Sequence, residues 1–418
     1  MDTDVIVIGA GLAGLQSARR LERSGRSVVV LEAGDAVGGR IRTDRVDGFL
    51  CDRGFQVLNP AYPAVRDWVD VRSLGLQRFG VGAVVRDGGS TTTLVHPARH
   101  PQHALETLRS VHSPPSDVLA LARWLGPTLL RPKTVFRSGQ DQTLSASFDS
   151  AGLTGRLRRD LLDTFLAGVL ADSSGQASAG YVRLLMRMFA LGAPALPREG
   201  MQALPEQLAG WLTGPVRLGT PARAVRETAT GVEVTTDQGR LRSRAAVVAV
   251  GPQDVATLTD LPAPVTHGLT TWWFRTTELP LAGRFLLVDA SRPAGGPAGP
   301  VWNTAVVSQA APSYAPTGEH LVQATTLLDR PDGQAGEAEV LRDLSRLYAT
   351  STVGWETLAH HVVPHTLPAQ PPPLHDHRPR WTGDRVVVAG DHQGTGSIQG
   401  ALVSGDRAGR AVAAALAT

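Results

Sequence analysis

The chain of 418 residues contains a single cysteine, Cys51, and a single lysine, Lys133. One cysteine excludes an internal disulfide and any cysteine-built metal cluster. Positive charge is therefore almost all arginine, and no long basic run occurs. Arg156, Arg158 and Arg159 are followed by Asp160 and read as a solvated helix face, so no nucleic-acid partner is expected at a net charge of +3. Tyrosine is scarce, with Tyr62, Tyr181, Tyr314 and Tyr348 making up the set. No uncharged apolar run reaches about 18 residues, so no membrane-spanning helix is expected. No basic leader with an apolar stretch precedes the first strand-like run, which makes a cytoplasmic location the expectation. The fairly apolar stretch from Val118 to Leu130 leaves room for a peripheral membrane contact, although Arg123 interrupts it.

What is present is an ordinary globular composition, 42% hydrophobic and 19% charged, with enough length for two or three domains' worth of core. The most informative stretch runs from Val5 to Glu32. A short apolar run, Val5 to Ile8, reads as a buried strand. Gly9, Gly11 and Gly14 follow in GxGxxG spacing, then an amphipathic helix pattern, a Ser24-Gly25 stop and a second buried run, Val28 to Leu31. Each residue type has a physical task. Gly9 permits the tight turn, Gly11 lets a pyrophosphate approach the backbone at a helix N-terminus, and Gly14 lets helix and strand pack closely. Glu32 is placed to accept hydrogen bonds from an adenosine ribose. The unit predicts a dinucleotide site and by itself does not separate NAD from FAD.

Two further motifs carry a resemblance. Gly38-Gly39-Arg40 follows Glu32, and near the other end Val386 to Ala389 reads as a strand leading into Gly390-Asp391. A glycine-bearing loop and a helix follow, with Gly400, Ala401, Ser404 and Gly405. Together these resemble the flavin-dependent amine oxidase superfamily, which includes monoamine and polyamine oxidases, protoporphyrinogen oxidase and phytoene desaturases. The pattern from Phe165 to Ala209 resembles the phytoene desaturase-like branch. The resemblance implies FAD, and because the lone Cys51 lies before the flavin-passing segment and not in the terminal loop, noncovalent binding is expected. The resemblance also implies Arg40 near the pyrophosphate, Phe55, Gln56 and Val57 beside the flavin ring, and the Val225 backbone at the adenine. It further implies Asp391 at the ribitol and the Ile398 backbone at the ring's O2. A helix dipole there favours the anionic reduced flavin.

The fold expected is α/β. A discontinuous Rossmann-like FAD-binding domain takes residues 1–61, 202–254 and 371–418. An inserted α+β substrate domain takes 62–201 and 255–370. Within it, Pro114-Pro115, Pro127 and Pro132 should break the helical pattern of residues 102–165 into pieces. By the resemblance, a helix bearing Tyr181, Leu184, Leu185, Met188 and Phe189 lines the substrate cavity, and Trp273 is a further pocket candidate. His361 and His365 are four apart, and His375-Asp376-His377 follow three prolines. Pro364 disrupts any helix through the first pair, so no metal site is expected. His365 precedes a segment that runs alongside the flavin in the family, which makes it the candidate catalytic histidine.

Two family features are missing. Ser397 falls where amine oxidases place an aromatic wall, and no lysine lies between Trp272 and Thr277. The expected reaction is therefore hydride transfer from a C–H of a hydrophobic small molecule, as dehydrogenation or desaturation, with dioxygen or a quinone as oxidant. Amine oxidation at C–N is the alternative. A redox-neutral flavin-dependent isomerase or a non-catalytic flavin-binding protein is another.

Overall fold

Val5–Ile8 and Val28–Leu31 are runs of β-branched and aliphatic residues with no polar alternation, the signature of strands covered on both faces. In the computed structural model, which describes all residues except 97, 137–140, 292–297, 375–378 and 418, they pair in parallel. They form the middle of an eight-stranded sheet. Thr3–Ile8 also pairs in parallel with Gly239–Val248, and the end of that long strand pairs in parallel with Val386–Val388. The outer strands, Ala222–Thr228 and Gly231–Thr236, continue the sheet as an antiparallel meander. Residues from the first thirty, the middle and the last forty of the chain thus share one sheet.

The helix Leu12–Glu22 covers this sheet, and the C-terminal helix Ile398–Ala415 packs across it. Their closeness is set by missing side chains. A Cβ on Gly405 would stand 2.2 Å from the carbonyl oxygen of Ala13, and one on Gly409 would stand 2.8 Å from that of Ser17. An ion pair, Arg20–Asp406, ties the same two helices.

A second sheet has seven strands in the order Glu356–Pro368, Thr266–Thr276, His320–Leu327, Asn303–Val306, Leu286–Asp289, Gly82–Asp87 and Ser90–Val95. All neighbours are antiparallel except Leu286–Asp289 against Gly82–Asp87, where the two separated stretches of chain meet. The amphipathic helix Glu337–Tyr348 buries Val340, Leu344 and Leu347 with Val84, Phe274 and Leu287 of this sheet. Helices Pro115–Leu130, Leu144–Ser150, Asp163–Leu170 and Ala179–Leu191 form another core around Trp124, Phe148, Leu166 and Val182.

Two expectations are corrected. Pro127 does not break its helix, which runs unbroken from Pro115 to Leu130. Proline withholds one N–H there, and the carbonyl it leaves belongs to the exposed Arg123, where water can serve it. The arginine cluster is more than a solvated face. One π-helical turn, Arg158–Leu162, carries a buried Asp160 that pairs with His112 Nδ1 at 2.7 Å and with Arg156 Nε at 3.0 Å. His361 and His365 lie on a strand, so their Cα atoms are about 13 Å apart. His361 pairs with Asp44 at 2.9 Å. Among the described residues no group of three or more His, Cys, Asp or Glu is placed to hold a metal, and His375, Asp376 and His377 lie outside the described residues. No helix of the described residues is long and apolar enough to cross a membrane.

The helix contact gives a stability test. Gly405→Ala gains up to about 1 kcal/mol of helix propensity but drives a methyl into the Ala13 backbone, which cannot rotate away. Overpacking of this kind costs about 1–3 kcal/mol, so the expected outcome is net destabilisation. Urea unfolding of the variant should show a lower midpoint, and an unchanged or higher one would refute the contact.

Candidate active site

A cavity of about 1220 Å³ runs from the first sheet to the helical region. That exceeds the roughly 300–1,000 Å³ typical of one drug-sized ligand, so there is room for a dinucleotide and a second molecule.

At one end it is lined by Gly9, Gly11, Glu32, Gly39 and Arg40. The three glycines of the first turn are there for different reasons. Gly9 has φ +101°, and a Cβ on it would strike Ala249 O at 2.5 Å. A Cβ on Gly14 would lie 1.9 Å from Gly9 O, so Gly14 serves helix–strand packing and does not face the cavity. Gly11 alone faces open space within 4 Å. Gly11 is also the N-cap of the first helix, and no side chain caps that end. First-turn N–H groups without side-chain partners beside a glycine opening on a cavity suit a phosphate group. Glu32 is held by its own backbone neighbourhood: Ala10 N–H donates to Oε2 at 2.7 Å and Gly34 N–H donates to Oε1 at 2.8 Å. Each carboxylate oxygen retains a lone pair for a ribose hydroxyl.

Midway along, the Arg40 guanidinium donates to Thr366 O at 2.7 Å and pairs with Asp391. Asp391 follows the strand Val386–Val388, and Gly390 N–H donates to Ser404 Oγ at 3.1 Å, so the turn is pinned to the last helix. Phe55, Gln56 and Val57 line the next part, with Gln56 Nε2 donating to Arg40 O at 2.9 Å. Opposite them are Gly396, Ser397 and Ile398. Ser397 caps the C-terminal helix by accepting from Gly400 N–H at 3.1 Å, and Ile398 is the helix's first residue. Tyr181 reaches this loop from the helical core, donating to Gly396 O at 2.6 Å. Burial holds its phenol well above the usual range, so it stays a neutral donor.

The far half is walled by Phe79, Val95, Leu125, Leu161, Phe165, Leu185 and Phe189, closed on the sheet side by Leu269, Asn303 and Thr325. Among the lining residues the carboxylates are Glu32, Asp254 and Asp391, all on segments of the first sheet or its loops. No carboxylate lines the far half among the described residues.

Five sequence candidates are placed elsewhere. His365 is exposed, bonds Thr266 Oγ1 at 2.7 Å and does not line the cavity, whereas Thr366 and Leu367 do. The strand bulges between Val363 and Leu367, and the histidine in that bulge is turned outward to Thr266. Trp273 is fully buried in the main core with its Nε1 donating to Asp52 O. Met188 is buried at the edge of its helix, whose cavity face carries Tyr181, Leu185, Met186, Phe189 and Ala190. Leu184 is off that face too. Val225 packs in the core of the first sheet, and the cavity is met three residues earlier by Ala222, with Pro221 and Arg223 beside it. The strand begins at Ala222, and that boundary was the signal to follow. Asn303 was also missed. Its trace in the sequence is a lone amide within an apolar strand.

Beneath the ring-side segment lies Asp52. Its carboxylate accepts from Thr43 Oγ1 at 2.5 Å, Met201 N–H at 3.0 Å and Tyr314 Oη at 2.9 Å. Burial still pushes its carboxyl up from 3.8 to about 6. Between those values the folded protein holds a proton that the unfolded chain has released. The stability Asp52 contributes is therefore full below about pH 4 and is lost as pH rises through about 6. Asp52→Asn should remove this dependence. Relative to wild type the variant should gain up to about 3 kcal/mol on going from about pH 4 to about pH 7. Paired urea titrations at the two pH values measure it, and parallel curves would count against a buried, neutral Asp52.

A family profile described as flavin containing amine oxidoreductase matches residues 12–413. A pseudooxynicotine dehydrogenase of Pseudomonas sp is 28% identical over 265 residues, covering 60% of this chain and 52% of that protein. A putative flavin-containing monoamine oxidase of Mycobacterium tuberculosis is 28% identical over 290 residues, covering 62% and 60%. The chain thus spans little more than half the length of these curated relatives. Among solved structures, putrescine oxidase bound to putrescine superposes with a TM-score of 0.72 at 20% identity over 99% of both chains. A putative protoporphyrinogen oxidase from Exiguobacterium sp. 255-15 does so with 0.71 at 19%, also over 99% of both. At such identities the structural likeness speaks for the fold. The profile match over nearly the whole length, on a chain whose two ends build one dinucleotide cleft, means that this protein belongs to the flavin-containing amine oxidoreductase family, whose cofactor is FAD.

Proposed function

We propose that the chain is an FAD-dependent oxidoreductase that removes two hydrogens from an apolar, uncharged organic substrate, one as hydride from carbon and one as a proton to water. The observation that carries this is the far half of the cavity, apolar and without a carboxylate among the described residues. FAD supplies the two-electron acceptor, and dioxygen or a quinone regenerates it. The chain's own residues do the remaining work. Gly11 and the first helix N-terminus hold the pyrophosphate, with Arg40 and Gly39 close by, and Glu32 holds the adenosine ribose. Ala222 takes the adenine end in place of Val225. Asp391 orients the ribitol, and Phe55 to Val57 flank the ring. The N-terminus of the last helix, at Ile398, presents a positive dipole end that favours negative charge on the ring. The apolar wall excludes water and orients the reacting carbon. Binding is noncovalent: Cys51 is fully buried, and burial pushes its thiol up to about 12, so it is no nucleophile.

Amine oxidation is the second reading, favoured by relatives named as putrescine oxidase and monoamine oxidase. Against it stands Ser397 at the ring, where an aromatic wall would steer an amine. Anaerobic mixing of the FAD-loaded protein with polyenes and with amines separates the two. Bleaching of the flavin absorption by apolar unsaturated compounds is expected, and bleaching by amines alone would reverse the ranking.

A peripheral membrane contact fits the same cavity. Leu105, Leu108, Val111, Val118, Leu119 and Leu130 are exposed, and Leu108 and Val118 also line the cavity. Arg109, Arg123, Arg131 and Lys133 are exposed on the same helices and the turn after them. Apolar side chains ringed by cations suit an anionic bilayer. The protein should float with phosphatidylserine vesicles more than with phosphatidylcholine vesicles. Replacing Leu108 and Leu119 by Ser should reduce flotation several-fold, and equal flotation of wild type and variant would remove the contact.

A further inference from the structure

The sheet wall of the apolar half contains one amide. Asn303 begins the strand Asn303–Val306 and pairs in register with Thr325 of the neighbouring strand. Both residues line the cavity. Asn303 is 3% exposed, and its Oδ1 has no hydrogen-bond partner. Thr325 Oγ1 accepts from Gln323 Nε2 at 2.6 Å, which leaves its own proton free to turn.

The amide nitrogen packs against a facing helix. A Cβ on Gly168, in the facing helix Asp163–Leu170, would stand 2.0 Å from Asn303 Nδ2. The glycine is therefore the seat of the amide nitrogen, and it too lines the cavity. A buried acceptor without a partner is costly to keep, and most such groups are satisfied in folded proteins. A leucine would fill the same volume without that cost. An amide at this position is accounted for when a ligand supplies the missing donor.

We propose that Asn303 is a specificity-determining residue that accepts a hydrogen bond from a neutral O–H or N–H on an otherwise apolar substrate. The inference rests on the reading of this cavity as the substrate site. It narrows the substrate class from any apolar compound to one that carries a single donor, and it ranks a bare hydrocarbon below an alcohol or an amine or amide N–H of similar shape. With no carboxylate on that wall among the described residues, the donor is uncharged.

The probes are cyclohexylmethanol and its methyl ether, titrated by calorimetry into the FAD-loaded protein. The two differ by one donor. Wild type should bind the alcohol roughly tenfold more tightly than the ether, the worth of one net hydrogen bond. Asn303→Leu should erase that preference by weakening the alcohol and leaving the ether unchanged. Gly168→Ala should erase it too by displacing the amide, which gives a second route if the leucine variant does not fold. A flavin absorption spectrum identical to wild type certifies each variant. Equal affinities in wild type, or a preference that survives in a folded variant, overturns the proposal, as does absence of binding by both probes. The readout is binding and not turnover, so the two readings fail separately. A flavin bleached by substrates in a protein without the preference sinks this inference alone. A preference in a protein whose flavin no compound bleaches sinks the oxidoreductase reading alone.

Discussion

The contact on which the site depends is backbone against backbone. The last helix meets the first with Gly405 over Ala13 and Gly409 over Ser17, at a separation that no Cβ would allow. This contact brings Asp391, Ser397 and Ile398 to the cleft that Gly11, Glu32 and Arg40 open. The pairing of Val386–Val388 with the end of Gly239–Val248 fixes the height of the turn at Gly390 relative to the turn at Gly9. The Arg40–Asp391 ion pair then spans the cleft between two residues more than three hundred positions apart.

From that frame the division of labour follows. The parallel sheet delivers polar groups at strand ends, where backbone N–H groups are unpaired and charge can be met. The antiparallel sheet and the helices deliver apolar surface. The cavity crosses from one to the other, so a molecule lying along it has a charged, hydrogen-bonded end and a dry end. Tyr181 links the two halves, being rooted in the helical core and bonded to Gly396. Asp52 links them as well, because the groups that donate to its carboxylate come from residues 43, 201 and 314, and Trp273 donates to its carbonyl. Burial raises its carboxyl to about 6 against the pull of those donors, with Asp44 raising it further.

The apolar half has its own constraint. A wall of leucine, valine and phenylalanine excludes water without discriminating strongly among apolar molecules. Discrimination needs a group whose satisfaction depends on the ligand, and Asn303 is such a group. Its backbone sits in the middle of a sheet, and its amide nitrogen lies against Gly168.

The cofactor half was legible in the sequence because its determinants are local. A strand, three glycines at fixed offsets, a helix and an acid act through a single turn of backbone, so Gly9, Gly11, Gly14 and Glu32 could be named with their tasks. The turn at Gly390-Asp391 and the helix beginning at Ile398 were legible for the same reason. The substrate half was not, because which residues face a cavity depends on how elements are rotated against one another. A helical stripe pointed to Met188 and Leu184, and the packed helix presents Met186 instead, beside the expected Tyr181, Leu185 and Phe189. A strand next to the cavity pointed to His365 and Trp273, and a bulge in one strand and the burial of the other sent the first to solvent and the second to the core. Val225 was three residues from the true edge because the start of the strand, not its pattern, decides what meets the cleft. Thus the sequence by itself determined the family and the cofactor, and it named most of its candidates for the dinucleotide cleft among residues that do line it. Tertiary packing alone decided the shape, polarity and lining of the space beside it, since those depend on side chains brought together from separate elements.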